Sequence, residues 1–497
     1  MSYFGPPERL PGFHSPARLA SDGENSAKLN AQQLENTLDA LLEQVHQTFG
    51  LPGLAVGVVQ GDDVVYARGF GVCDIGTQAP VTTRSLFHQA SISKLFVATA
   101  ILQLVEQGRL RLDDAIVEHL PYFWLGDERS QSITIQQALT HTSGLPDPED
   151  HGWHRPEVDE GALERHVRVL RSLHMVAEPG QGFVYSSLAF DVLGALIASV
   201  SGEPFETCVK RAIFEPLGMH DSTFFRPDVP PALATSPHIR TPGLAVSDVF
   251  PYSRASAPSG ALQSNVLDMA NWALANLNLA KVGGAPQPSQ GWPQLTRDSL
   301  HRILSPESYR LLWRPYAQTG NDDTRQAGIG LGYFLGQYRG TPVVMHDGGD
   351  VGYEAELTLL PERSVAVVVM ANVFPAATDA ITRALLDVVL GFDAQAPRPP
   401  LMVPLMATWH EAGLDAAIAQ AGQLDRAAYD ASETFLRNVV FILQEAQRPA
   451  AAIEVLKLGQ HVYPDAAWVS TDLARMYAQA QSARQREVEP ELSRAKP

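Results

Sequence analysis

Strand-like segments lie at both ends of the first 390 or so residues, and helix-like segments fill the long span between them. Near the start, 53–59 and 64–68 are apolar runs joined by a Gly-Asp turn, which predicts a β-hairpin. No strand–helix–strand repeat is visible, so we expect an α+β fold with an antiparallel sheet flanked by helices. Further strand patterns occur at 330–338, 341–345, 354–360 and 365–372.

Changes in composition divide the chain into four parts. Residues 1–30 are rich in Pro, Ser and Gly and are expected to form a flexible arm, whereas 31–392 contain the sheet and its helices. Residues 393–404 contain four prolines and are expected to be a linker. Over 405–497 strand patterns disappear, which predicts an α-helical module.

The helical module carries an apolar pattern with a 34-residue offset, in which Val439 matches Leu473. This offset predicts about one and a half tetratricopeptide-like repeats, and a plain helical hairpin is the alternative. Such repeats need about three copies to be stable alone. The module is therefore expected to pack on the main domain, on a second copy of the chain in a homo-oligomer, or on a protein partner.

Charge and apolar content exclude several classes of function. A net charge of −18 argues against nucleic acid as a partner, because phosphate binding needs a basic surface. No stretch approaches about 18 uninterrupted apolar residues, so no membrane span is expected. The N-terminus lacks a basic start followed by an apolar run, which favours a cytoplasmic protein without a signal peptide. Cys73 and Cys208 are interpreted as buried thiols rather than a disulfide, and neither a metal nor a cofactor is expected.

Ser91 and Lys94 lie three residues apart at the start of a mostly apolar helix that is predicted to run to Gln107. Residues at i and i+3 share a helix face, so the amine and the hydroxyl are expected to be neighbours. Ser91 would open the helix, where a free N–H and the positive helix end suit an oxyanion. The apolar neighbours Leu95 and Phe96 indicate a core helix. A lysine beside a serine hydroxyl in such a place can act as a general base beside a nucleophile.

Two further segments carry groups that can face a cleft. Tyr185 lies on the loop before an apolar helix, and Ser187 follows it closely. His346, Gly348 and Gly349 are expected to end one strand and begin the next turn, where glycines let backbone approach a ligand and an N–H can bind an oxyanion. A core tyrosine and an ordinary Gly-rich turn are the alternative interpretations.

The order and form of these segments resemble the superfamily of class C β-lactamases, DD-peptidases and esterases. The resemblance covers about residues 35–390 and implies a sheet beside an all-helical subdomain, with the active site between them. It also implies acylation of a serine, followed by hydrolysis or transfer. The matching segments lie in the family's order at 87–94, 139–145, 179–185, 216–219, 258–260 and 346–348.

The resemblance implies a role for each matching residue. Ser91 matches the nucleophile, Lys94 and Tyr185 match the groups that share the proton transfers, and the amides of Ser91 and Gly349 would form the oxyanion hole. His141, in the segment 139–145, is interpreted as a structural histidine at a helix end.

Two positions depart from the β-lactamase pattern. His346 stands where those enzymes usually carry a lysine, and Ser187 where they usually carry an asparagine. Both departures favour an esterase or small-amide hydrolase acting on a small-molecule ester or amide. A β-lactamase or D-amino-acid peptidase is one alternative, and a non-catalytic binding or sensor protein of the same fold is another.

Overall fold

An antiparallel eight-stranded sheet is the centre of the main domain. The computed structural model describes residues 30–148, 151–280 and 303–479, so the predicted arm before residue 30 and the end of the C-terminal module lie outside the described residues. In spatial order the strands are β2 (Asp63–Gly71), β1 (Gly53–Gln60), β12 (Val365–Ala371), β11 (Tyr353–Leu360), β10 (Thr341–Asp350), β9 (Phe334–Tyr338), β8 (Gly328–Ile329) and β7 (Ala317–Gln318).

Small strands and helices complete the main domain. One short pair joins β3 (Phe87–His88) to β6 (Gln263–Ser264), and a three-stranded sheet joins β13 (Val373–Phe374), β4 (His238–Arg240) and β5 (Leu244–Val246). The helices are α1 (Ala31–Thr48), α2 (Ser93–Glu106), α3 (Ile116–His119), α4 (Ile135–Leu139), α5 (Ala162–Val169), α6 (Ser187–Ser201), α7 (Phe205–Val209), α8 (Ala257–Gly260), α9 (Val266–Ala280), α10 (Pro306–Leu312) and α11 (Thr378–Leu390).

Strand β12 shows how the sheet separates two apolar cores. All seven of its residues are buried, as expected for a strand covered on both faces. Alternate side chains point to opposite faces. Val367 and Val369 join the core under α1 and α11, whereas Val368 and Met370 join the core shared with α2, α6 and α9. The predicted α+β fold with an antiparallel sheet and many helices is therefore confirmed.

Two predicted boundaries near the candidate site were wrong. The helix after Ser91 begins at Ser93, because Ala90–Ile92 form a short 3-10 turn. His346 to Gly349 do not begin a turn, since β10 continues to Asp350 and pairs with β11 throughout. Backbone pairing extends the strand beyond its last apolar side chain, Met345, so the apolar pattern alone underestimates its length.

The C-terminal bundle, as we call the helices within 402–479, packs directly on the main domain. Its helices are α12 (Met402–Ala412), α13 (Leu414–Ala421), α14 (Thr434–Glu445), α15 (Pro449–Val462) and a fifth at 467–479. Trp153, Ile239 and Val351 of the main domain share one buried cluster with the bundle. Helix α12 starts inside the predicted linker 393–404, because Leu401 and Met402 are buried in that cluster. The tetratricopeptide-like assignment stays a prediction.

Other features of the described chain concern the cysteines and the longest apolar helices. Cys73 and Cys208 are both free, and both are buried, as their interpretation as buried thiols predicts. Within the described residues, no single helix has the length and apolar character needed to cross a membrane. The stretches Ser187–Ser201 and Phe205–Phe214 reach that length only as a pair, across a bend of 76°.

Candidate active site

Ser91 lies in the 3-10 turn that leads into α2. The preceding residue, Ala90, has a φ of 45°, a left-handed conformation that costs a non-glycine residue on the order of 1 kcal/mol. Ser91 is partly exposed, whereas the hydroxyl of Ser93 is buried and accepts a hydrogen bond of 3.0 Å from the N–H of Leu262. Of the two hydroxyls in this segment, only that of Ser91 is therefore free to meet a substrate.

Two proton-carrying side chains meet at the Ser91 hydroxyl. Lys94 Nζ donates to Ser91 Oγ at 2.9 Å, and the Tyr185 hydroxyl donates to the same oxygen at 2.9 Å. A second bond from Lys94 Nζ, to the carbonyl oxygen of Ser259 at 2.8 Å, ties the amine to α8. Among the described residues, no carboxylate forms an ion pair with Lys94. The structure thus brings together three residues from motifs that are far apart in the chain.

His141 supports Tyr185 from behind. The two rings stack with centroids 4.3 Å apart and an angle of 21° between their planes. His141 Nδ1 accepts a hydrogen bond of 3.0 Å from the N–H of Ser186, so the histidine also fixes the backbone next to the tyrosine. Burial, and then the charge of Lys94, hold the pKa of His141 well below its ordinary value, so its ring is neutral. The structural interpretation of His141 agrees with these contacts.

Tyr185 is itself held in its neutral form. Burial raises the pKa of its phenol above the ordinary value of 10.0, and the nearby Lys94 charge opposes this only in part. In the resting site Tyr185 is therefore a hydrogen-bond donor to Ser91. A donor that can release its proton to a neighbouring group suits proton transfer during a reaction.

Gly348 and Gly349 let β10 approach the nucleophile turn. A Cβ atom on Gly348 would lie 2.4 Å from the carbonyl oxygen of Gln89 and 2.8 Å from the backbone nitrogen of Ser91. A Cβ atom on Gly349 would lie 2.3 Å from a ring carbon of Phe374. Both positions therefore require glycine for close packing. The strand backbone at Gly348 therefore runs directly against the amide of Ser91.

His346 lies beneath the site rather than on its surface. Its side chain is 1% exposed, and its Nδ1 donates to the carbonyl oxygen of Asp347 at 2.5 Å. Nε2 is buried and has no hydrogen-bond partner among the described residues. Burial, and then the charge of Lys94, lower the pKa of His346 to about 3, so its ring carries no charge near neutral pH.

A narrow cleft opens beside Ser91. Ser187 reaches it, and the N–H of this residue is fixed by Asp147 Oδ1 at 2.6 Å. His346, Gly348 and Gly349 are not among the described residues that line the cleft. The lining residues are Ser91, Lys94, His151, Trp153, Ser187, Pro251, Ser253, Ser256, Ser259, Gly260, Ala261 and Asp350.

Sequence reasoning missed several residues of this cleft, among them Asp350, His151 and Trp153. Asp350 could have been found, because it follows His346 and Gly348 at the two-residue period of one strand face. His151 and Trp153 lie in an irregular stretch, where no periodicity indicates which side chains point inward.

One cluster of side chains among the described residues has the donor atoms to hold a metal ion. It consists of Asp114, Glu118 and His119, whose ligand atoms lie within 4.8 Å of one another. These residues do not line the cleft.

Comparisons with known proteins agree with the geometry. The Beta-lactamase family model matches residues 38–391. Penicillin-binding protein 4 of Amycolatopsis lactamdurans is 29% identical over 399 residues, which cover 76% of this chain and 97% of the relative. Esterase EstB of Burkholderia gladioli is 34% identical over 217 residues, 41% of this chain, and the match spans just over half of the esterase, 55%.

A solved structure extends the comparison to the fold. The octameric penicillin-binding protein homologue from Pyrococcus abyssi superimposes with a TM-score of 0.61 and 25% sequence identity. The match covers 72% of this chain and 77% of that one. The shared architecture therefore covers most of the chain.

Proposed function

The chain belongs to the beta-lactamase family and is a serine hydrolase, and on that premise we propose that it cleaves esters or small amides through an acyl-enzyme on Ser91. The observation that carries this proposal is the meeting of Lys94 Nζ and the Tyr185 hydroxyl at Ser91 Oγ, each at 2.9 Å. A hydroxyl flanked by two proton carriers is an activated nucleophile. One relative of this chain is named an esterase and another a penicillin-binding protein.

In the proposed reaction, the Lys94–Tyr185 pair first releases one proton to solvent. Ser91 Oγ then bonds to the substrate carbonyl carbon while its own proton passes to the deprotonated member of the pair. The carbonyl oxygen becomes an oxyanion, which the N–H groups of Ser91 and Gly349 would stabilise. Collapse of this intermediate breaks the bond to the leaving group, and the leaving group takes the proton from the pair. Water then attacks the acyl-enzyme carbonyl carbon and gives a proton to the pair. The pair passes this proton to Ser91 Oγ as the bond between Oγ and the acyl carbon breaks and the acid product leaves.

The state of His346 supports esters over β-lactams. A β-lactam carries a carboxylate, which β-lactamases hold with a positive charge at this position of the sequence. His346 is buried and neutral, because its pKa is lowered to about 3. The hydroxyl of Ser187, where those enzymes usually carry an asparagine, is also too short to replace a carboxamide that binds an amide.

A non-catalytic sensor of the same fold has less support. A protein that only binds a ligand has no need for a buried lysine bonded both to Ser91 Oγ and to the Ser259 carbonyl oxygen. The burial of an amine is costly unless its hydrogen bonds are made, and these two bonds place it beside the hydroxyl.

Labelling with a fluorophosphonate tests the proposal. We expect Ser91 to be the labelled residue in peptide mapping, and Ser91→Ala to reduce hydrolysis of a p-nitrophenyl ester by at least about 10³-fold. Ser93→Ala is the matched control, because its hydroxyl is bonded to the Leu262 N–H, and this variant should keep both labelling and turnover. Label on Ser93 or Ser187 would contradict the assignment of the nucleophile.

A further inference from the structure

The side of the cleft formed by Asp350, His151 and Trp153, which we call the far wall, presents a carboxylate. Asp350 ends β10 on the strand face of His346 and Gly348, lines the cleft, and its side chain is 15% exposed. Its Oδ2 accepts a hydrogen bond of 2.6 Å from Nε2 of His88. This bond fixes the orientation of the carboxylate.

The partner of Asp350 does not cancel its charge. The side-chain nitrogen of Gln263, which can only donate, lies 2.8 Å from Nδ1 of His88 and 3.5 Å from the carbonyl oxygen of Ala261. Nδ1 of His88 must therefore accept, which leaves the only ring proton on Nε2, facing Asp350. A histidine with one ring proton is neutral, so the chain from Gln263 through His88 orients Asp350 and leaves a negative charge on the cleft wall.

An aromatic ring accompanies this carboxylate. Trp153 lines the same cleft and stacks on the ring of His151, with centroids 4.5 Å apart and an interplanar angle of 16°. A carboxylate attracts a cation by charge. The ring of Trp153, which His151 covers on one face, adds apolar surface for the carbon atoms that carry such a cation. Together they form a wall that suits a positively charged group.

The C-terminal bundle fixes the tryptophan side of the wall. His151 Nδ1 lies 3.1 Å from Glu445 Oε2 at the end of α14, and Trp153 is buried in the cluster shared with the bundle. When His151 is protonated, Glu445 balances its charge through this direct contact. Asp350 also acts on the ring through space, but among the described residues its hydrogen bond goes to His88. The bundle therefore contributes to the cleft although none of its own residues lines it.

Resting on the hydrolase function proposed above, we propose that Asp350 and Trp153 form a subsite for an ammonium group on the substrate, and that Glu445 is the positioning residue of this wall, acting through His151. A substrate acylated on Ser91 would place its cationic group against the far wall. Neutral esters of the same shape would be cleaved with a lower specificity constant.

A pair of isosteric esters tests the subsite. The p-nitrophenyl esters of 4-(trimethylammonio)butanoate and of 5,5-dimethylhexanoate differ in one atom, a charged nitrogen in place of a carbon. We expect the wild-type protein to prefer the cationic ester by about tenfold or more in kcat/KM. Asp350→Asn should bring this ratio close to one by weakening only the cationic ester. Asp113→Asn, at an exposed aspartate outside the cleft, makes the same change of charge and should leave the ratio unchanged.

The ratio of the two specificity constants separates failure of the subsite from failure of the hydrolase function. An equal ratio in the wild type and in Asp350→Asn would overturn the subsite, and so would a wild-type ratio of one. Failure of the hydrolase proposal looks different, since neither ester would then be cleaved and Ser91 would not be labelled by a fluorophosphonate.

The positioning role has its own readout. Glu445→Gln should raise KM for the cationic ester about threefold to fivefold while kcat per labelled site stays within about twofold. Glu445→Asp should recover part of the loss, and Glu454→Gln, in the same bundle but paired to Lys457, is the matched control. A purely structural role would lower the labelled fraction and the melting temperature at constant KM, and that result would overturn the proposal.

Discussion

The two ends of the cleft are built in different ways. At the reactive end, Ser91, Lys94 and Tyr185 are held by bonds of 2.9 Å and are backed by buried, neutral histidines. At the far wall, His151 is 21% exposed and depends on Glu445, a residue 294 positions later in the chain. The difference separates chemistry from recognition. Changes at the first end should act on turnover, and changes at the second on substrate choice.

Loss of Lys94 or Tyr185 is the strongest test of whether the reactive end sets turnover rather than substrate choice. Lys94→Ala and Tyr185→Phe should each reduce turnover by at least about a hundredfold, the usual scale of general acid–base catalysis. Their effects on melting temperature should be smaller than their effects on rate, and KM should change little. Steady-state kinetics and thermal unfolding measure both quantities. If Tyr185→Phe kept near wild-type rates on every ester, Tyr185 would be a core residue only.

Comparison of two substrates sharpens the same division. The specificity constant for a chromogenic ester should exceed that for nitrocefin by roughly tenfold or more, because a site that lacks a required polar partner discriminates strongly. The missing partner is a cation for the β-lactam carboxylate, since His346 is neutral. A higher specificity constant for nitrocefin would show that recognition of the carboxylate lies elsewhere in the cleft.

Removal of the C-terminal bundle tests the far wall as a whole. Truncation before Met402 should expose the apolar cluster around Trp153, Ile239 and Val351, and should lower solubility or change the oligomeric state. Ser91 in any soluble fraction should still be labelled by a fluorophosphonate, whereas KM for the cationic ester should rise severalfold. Size-exclusion chromatography with kinetics checks both results. Unchanged solubility, oligomeric state, melting temperature and KM would make the bundle an independent appendage.

The smallest effect concerns pH. Burial lowers the pKa of His151, but the hydrogen bond to Glu445 and the charges of Asp350 and Asp147 outweigh it, so the pKa is raised above 6.5. A raised histidine pKa stabilises the folded state below pH 6.5, and this contribution disappears as pH rises through the folded-state pKa. The melting temperature of Glu445→Gln should therefore fall below that of the wild type by a few degrees at most at pH 6, and by less at pH 9. An equal difference at both values would exclude this titration.

The reactive end could be predicted from the sequence, whereas most of the far wall could not. Ser91 and Lys94 are three residues apart, so helical spacing alone brings them close. Tyr185 required the order of motifs, because no local rule connects residues 94 positions apart. The contact between His151 and Glu445 depends on how the bundle docks, and apolar periodicity shows only that its helices have a buried face. Asp350 was missed because the apolar pattern ends at Met345, whereas the backbone pairing of β10 continues to Asp350.

Because Gly348 has no side chain, the central sheet packs directly on the turn that carries Ser91 and so helps to set the position of the attacking oxygen. With a Cβ position only 2.8 Å from the Ser91 nitrogen, the strand packs tightly against the nucleophile turn, so we expect a shift of β10 along β11 to move that turn as well. Catalytic rates respond to misplacements of about 1 Å. Substitutions within the sheet can therefore change the reaction rate during evolution, even where they lie far from the substrate and the three reacting side chains stay the same.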